Sequence, residues 1–152
     1  MIKLITDNSQ KPTIVRTILE ALPEWFEVQE SREQYIKQSE GQIMVASFDE
    51  SNNPNGFLCL KQTGKETVEL AVMGVLKECH RKGIGRELFA LAKKIARDEG
   101  YEFMQVKTVK MGVYEDYDRT NLFYQSLGFK ELEVFPTLWD EANPCQIYVM
   151  SI

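Results

Sequence analysis

The residues best suited to chemistry lie in a short basic turn, His80-Arg81-Lys82-Gly83-Ile84-Gly85, inside the stretch Val68 to Gly100. Two glycines spaced by one residue let main-chain N–H groups approach a ligand with no side chain in the way. A patterned helix follows at once, with Ile84, Leu88, Leu91 and Ile95 on one face and Arg86, Lys93 and Arg97 opposite. Its first N–H groups have no acceptor of their own and carry the positive end of the helix dipole. A strand, a glycine turn and a helix start together make a place for a phosphate.

Charge supports that reading. From Lys77 to Arg97 there are seven basic residues (Lys77, Arg81, Lys82, Arg86, Lys93, Lys94, Arg97) and two acidic ones (Glu78, Glu87). The whole chain carries a formal charge of −5. A local basic patch on an acidic protein suits an anionic ligand, while the overall balance argues against a nucleic-acid partner. The rest of the chain is acidic and suits a cationic acceptor.

At 152 residues the chain is read as a single domain, 1–152, with an ordinary globular composition. Cys59, Cys79 and Cys145 are odd in number and show no metal-type spacing. That predicts no disulfide framework, no metal site and a reducing, cytoplasmic setting. No apolar run has membrane-spanning length, so no membrane partner is expected.

The elements that must position the turn follow from periodicity and breakers. Ile2 to Thr6 reads as a strand, and Pro12 to Leu22 as a helix stopped at Pro23. Ser31 with Gln34 resembles a capping box opening a second helix to about Ser39. Ile43 to Phe48 and Phe57 to Leu60 read as a hairpin around a connector of turn formers. Thr67 to Leu76 is the strand that enters the turn, Gly100 stops the long helix, and Phe103 to Val109 is the next strand. An acidic aromatic loop, Tyr114 to Asp118, leads into a shorter helix with Thr120, Phe123, Tyr124 and Leu127 on one face. Phe129 to Phe135 and Gln146 to Ser151 close the chain around a loop, Pro136 to Pro144. The order predicts an α+β fold, a mixed sheet with helices on its faces.

Two segments, Val-x-x-x-x-His-Arg-Lys-Gly-Ile-Gly from Val75 to Gly85 and Thr120-Asn-Leu-Phe-Tyr-Gln-Ser-Leu-Gly-Phe129, in this order, resemble the GNAT superfamily of acetyl-CoA-dependent N-acetyltransferases. The resemblance covers nearly the whole chain. It implies a central mixed sheet of about seven strands flanked by about four helices. It implies acetyl-CoA as co-substrate and an amine as acceptor, with a homodimer compatible. Residues Met73, Gly74 and Val75 would pair with the pantetheine arm, and His80, Arg81, Lys82, Gly83, Ile84, Gly85 and Arg86 would cradle the diphosphate. His80 departs from the family's usual Arg or Gln, and Tyr117 stands where an Asn is common.

The same resemblance puts Tyr124 at the general-acid position and Glu69 at a position that holds a base in some members. A core aromatic and an outward strand carboxylate are the alternatives for these two. Trp25, Phe26 and Trp139, with Tyr117, are the candidates for lining the acceptor side; core-edge aromatics would look alike. The expected chemistry is direct attack of an amine on the thioester. An amine with a pKa of about 10.4 is neutral only on the order of once in a thousand at pH 7, so a base or relayed water is needed. A strand N–H near Met73 would stabilise the oxyanion. The acceptor is expected to be a small-molecule amine, with a peptide amine or a non-catalytic acyl-CoA-binding module as alternatives.

Overall fold

The computed structural model describes residues 1–152. Seven strands and four main helices follow one another as β1 (Ile2–Leu4), α1 (Lys11–Glu20), α2 (Gln29–Gln38), β2 (Ile43–Phe48), β3 (Pro54–Gln62), β4 (Thr67–Val75), α3 (Ile84–Asp98), β5 (Phe103–Val109), α4 (Glu115–Ser126), β6 (Lys130–Asp140) and β7 (Asn143–Ser151). They form one mixed sheet in the order β1-β2-β3-β4-β5-β7-β6, in which only the β4–β5 pair is parallel. This is the architecture anticipated from the sequence.

The sheet has a core on each face. Val68, Leu70, Met104, Val106 and Tyr148 pack with Leu88, Phe89 and Ala92 of α3 and Tyr124 of α4. Val15, Ile18 and Leu19 of α1 and Ile36 of α2 pack with Met44, Ala46, Phe57, Cys59 and Val72 on the other face. Strand residues two apart should share a face. Yet Leu70 lies in one core and Val72 in the other. The cause is an extra residue in β4: Leu60 pairs with Leu70 and Cys59 with Val72, leaving Ala71 as a bulge.

Several sequence readings change. The Pro136–Pro144 loop is a long hairpin instead: β6 runs to Asp140, and only Glu141 and Ala142 lie outside the strands. Pro136 fits there because β6 is an edge strand with no further neighbour to receive its missing N–H. The second helix begins at Gln29, two residues before the proposed cap; its N-cap, Val28, makes no side-chain bond. Glu115 to Asp118 form the first turn of α4, where three carboxylates favour the positive end of the helix. No helix is long and apolar enough to cross a membrane.

Candidate active site

The parallel β4–β5 pairing covers only Thr67–Leu70 against Phe103–Val106. Beyond it the strands splay. The Leu76 N–H donates to the Asn55 carbonyl at 2.9 Å, and Gly74 pairs with Phe57. Main-chain groups of successive strand residues alternate sides. Leu76 and Gly74 therefore spend theirs on β3, while Met73 and Val75 turn theirs toward the splay. The bulge at Ala71 sets this phase. Gly74 itself is packed from the other face: a Cβ there would meet Ile18 Cγ2 at 2.9 Å and Leu22 Cδ1 at 3.1 Å.

The turn leads straight out of the splay. Arg81 (φ 64°) and Gly83 (φ 81°) are both left-handed. Left-handed backbone costs a non-glycine residue on the order of 1 kcal/mol, a strain that the surrounding structure must hold at Arg81. Gly83 is the N-cap of α3 and makes no side-chain bond; the first intrahelical bond is from the Glu87 N–H to the Gly83 carbonyl. The amides of Ile84, Gly85 and Arg86 are thus free at the helix start. Gly85 is needed for a reason the sequence did not reveal, since a Cβ there would sit 3.0 Å from the Phe123 ring of α4. The Arg86 guanidinium donates to Ser126 Oγ at 2.8 Å, joining α3 to α4. His80 is turned back onto the strand. Its Nε2–H donates to the Val75 carbonyl at 2.6 Å, and its ring meets Trp25 edge-on at 6.0 Å. Arg81 and Lys82 are exposed.

Tyr124 is packed as a core aromatic. Its ring lies in the core against Phe129 and Tyr148, and the residue is 7 % exposed. Its hydroxyl has no protein partner and is not among the fully enclosed, unpartnered atoms, which are Gln42 Oε1, Asn55 Oδ1 and Thr108 Oγ1. It is therefore not fully sealed from solvent. Burial pushes the phenol well above its usual range, with smaller contributions from Tyr35 and Tyr117, so it stays protonated at neutral pH.

Glu69 is not a solvated outward residue. It is 6 % exposed, on the face toward α1 and α2, and Lys107 Nζ donates to its Oε1 at 2.7 Å. The Glu69 carboxylate lies close enough to Tyr35 and Cys145 to raise both of their pKa values, after burial as the main cause. Its Oε2 has no protein partner.

The aromatic candidates divide. Tyr117 Oη donates to the Trp25 carbonyl at 3.0 Å, tying α4 to the α1–α2 loop, and burial raises its pKa. Phe26 meets Tyr35 edge-on at 6.1 Å. Trp25 and Tyr117 are thus joined directly, and Asp116 and Glu27 lie close enough to add to the rise in the Tyr117 pKa. Trp139 is apart from them, 47 % exposed near the end of β6.

Asn121 escaped the sequence reading. It is fully buried; its Nδ2 donates to the carbonyls of Val109 (2.8 Å) and Tyr117 (2.7 Å), and its Oδ1 accepts from Tyr148 Oη (2.7 Å). It pins α4, and with it Tyr124, to the end of β5 and the middle of β7. An Asn on the apolar side of a helix was the available signal. No cluster of His, Cys, Asp and Glu is arranged to hold a metal ion.

Residues 12–129 match the model of the acetyltransferase (GNAT) family. Among solved structures, a GNAT-family acetyltransferase from Desulfovibrio desulfuricans superposes with a TM-score of 0.85 at 18% identity, over 99% of each chain. An aminoglycoside 6'-N-acetyltransferase complexed with coenzyme A gives 0.76 at 20% identity over 99% of this chain and 96% of that one. A ribosomal-protein-alanine N-acetyltransferase from Brucella melitensis gives 0.75 at 16% identity over 100% and 99%. No curated protein matches in sequence. With the family match spanning most of the chain and the splayed sheet and amide turn in place, the protein belongs to the GNAT acetyltransferase family.

Proposed function

We propose that this protein transfers an acetyl group from acetyl-CoA to the amine of a small molecule, by direct attack in a ternary complex. The observation that carries the reading is the splay beyond Leu70 and Val106, which frees the main chain of Met73 and the N–H of Val75 and runs into an uncapped helix start. Bound acetyl-CoA would supply the activated acetyl group as a thioester. The amides of Ile84, Gly85 and Arg86, with the charges of Arg81 and Lys82, hold its diphosphate. Met73, with the N–H of Val75, takes the pantetheine arm as an added strand.

Glu69 receives the proton lost by the amine, directly or through a water. Tyr124 gives its proton to the departing thiolate, and its burial keeps that proton available. Lys107 supplies the counter-charge that lets a carboxylate sit in this buried place. Support for a small acceptor comes from the Tyr117–Trp25 bond, which ties α4 against the α1–α2 loop. Glu27 and Asp116 favour an acceptor with more than one positive charge. The cysteines, all unpaired, fit a cytoplasmic setting.

The reading is tested by thiol release from acetyl-CoA over two panels, small polyamines and amino sugars in one, peptide N-termini in the other. Release with the small amines alone is expected. Release with peptides alone would move the assignment to protein acetylation. Tight coenzyme A binding without release in either would make the protein a binding module.

A further inference from the structure

β4 leaves the sheet through a main-chain acceptor that is already in use. The peptide joining Val75 to Leu76 is trans, so its N–H and its carbonyl point in opposite directions. The Leu76 N–H donates to the Asn55 carbonyl on β3 at 2.9 Å. The Val75 carbonyl therefore points the other way, into the splay. There it accepts from His80 Nε2–H at 2.6 Å.

The position of this ring conflicts with the course of an arm laid along β4. The diphosphate belongs at the amides of Ile84, Gly85 and Arg86 and the thioester beside Met73, so the arm between them passes the Val75 carbonyl. An added strand uses both the donors and the acceptors of the edge it joins. An amide N–H of the arm and the imidazole N–H thus compete for one oxygen. The local chain brings the rival there. His80 ends the 3₁₀ turn Lys77–Cys79, and its own N–H donates to the Lys77 carbonyl at 3.1 Å, which folds the residue back beside Val75.

The ring is able to give way. His80 is exposed and its main chain is held by that turn, so rotation about its side-chain bonds alone takes the imidazole out to water. What is lost is one exposed hydrogen bond and an edge contact with the Trp25 ring at 6.0 Å. The arm's amide replaces that bond like for like, so the oxygen stays satisfied. While the ring is turned in, the oxygen is closed to the arm. The apparent affinity for the arm is then set by the fraction of molecules in which the ring is out.

We propose that His80 is a latch on the pantetheine slot: its imidazole holds the Val75 carbonyl, and the arm of acetyl-CoA enters by taking that oxygen and turning the ring out, away from Trp25. The latch rests on the reading of the splay as the acetyl-CoA site, and adds to it a gating residue and the last rung of the arm's pairing.

His80 is the only histidine in the chain, so its carbon-bound ring protons are identified in an NMR spectrum without further assignment. Coenzyme A and adenosine 3′,5′-bisphosphate, which lacks the arm, are the two probes. The Overhauser effect between the His80 and Trp25 rings should be present in the protein alone, persist with saturating bisphosphate and vanish with saturating coenzyme A. In His80→Ala, calorimetry should show coenzyme A bound about three- to tenfold more tightly, with the bisphosphate affinity changed less, so that the ratio of the two affinities rises. If that variant fails to fold, the Overhauser effect in the native chain decides alone. Coenzyme A binding with the effect retained overturns the latch alone. So does an unchanged or lower ratio in His80→Ala, the result for a residue that merely supports the strand. Coenzyme A that does not bind at all overturns the acetyl-CoA reading, and the latch with it.

Discussion

Lys107 Nζ reaches Glu69 Oε1 at 2.7 Å across the last paired rung of β4 and β5, where the two strands begin to part. The carboxylate is buried and the lysine is about a quarter exposed. Removing the cation strands a buried charge, whereas removing the carboxylate leaves a lysine that can still turn to water. Lys107→Met should therefore lose about 2–3 kcal/mol of stability, somewhat under the loss typical of a fully enclosed pair. Glu69→Gln should lose less stability and instead lower kcat/KM by about 10²-fold, as removal of a general base does. Urea unfolding and steady-state rates on both variants separate the two effects. A Glu69→Gln enzyme with unchanged kcat/KM would remove Glu69 from the proton path.

The two glycines of the turn should fail differently. At Gly83 a Cβ would meet no atom within 4 Å, so only the left-handed backbone resists substitution. Gly83→Ala should cost about 1 kcal/mol of stability and little coenzyme A affinity. Gly83→Asp places a carboxylate beside the free amides and should abolish binding measured by calorimetry. Gly85→Ala pushes on Phe123, and through it on the helix that carries Tyr124. Its loss should appear in both stability and rate.

Asn121→Ala removes three hydrogen bonds at once and leaves the Tyr148 hydroxyl and the Val109 carbonyl short of partners in the interior. The expected cost is about 2–3 kcal/mol in chemical denaturation. The kcat should fall too, because α4 loses its anchor while the phenol itself is untouched.

Alkaline pH offers a check on burial. The Cys59 thiol, on β3 between β2 and β4, is pushed up to about 12 by desolvation, with Lys11 opposing the shift. Its ordinary value is 9.0. Below that value both folded and unfolded chains hold the proton. Between the two values the unfolded chain gives it up and the folded chain does not, so stability falls as pH rises, by about 1.4 kcal/mol per pH unit for one such group. The stability advantage of the native protein over Cys59→Ala should shrink across this window in urea titrations. A constant difference would mean that the thiol titrates freely.

Much of the fold was open to reading because the signals were local. The 3.6-residue pattern of Ile84, Leu88, Leu91 and Ile95, the breaker at Pro23 and the stop at Gly100 each act over a few residues, and the order of elements followed from them. The turn was legible for the same reason: its chemistry is main-chain chemistry announced by glycine. What stayed hidden is non-local. Glu69 and Lys107 lie 38 residues apart, and their pairing depends on the register of β4 with β5. The Tyr117–Trp25 bond spans 92 residues. The bulge at Ala71 leaves no mark in a run that reads as one strand, and Asn121, though on the apolar side of its helix, meets its partners only where β5 and β7 close around it. Strand β6 reads short in sequence because Pro136 ordinarily ends a strand, and the edge position that tolerates it exists only in the assembled sheet.

The central claim is that the unpartnered Tyr124 hydroxyl protonates the leaving thiolate. Its direct measurement is kcat for thiol release by Tyr124→Phe, with the coenzyme A dissociation constant taken on the same sample. The expected result is a kcat lower by about 10²-fold or more with coenzyme A affinity little changed. A Tyr124→Phe enzyme with native kcat would contradict the claim and leave Tyr124 as a core aromatic alone.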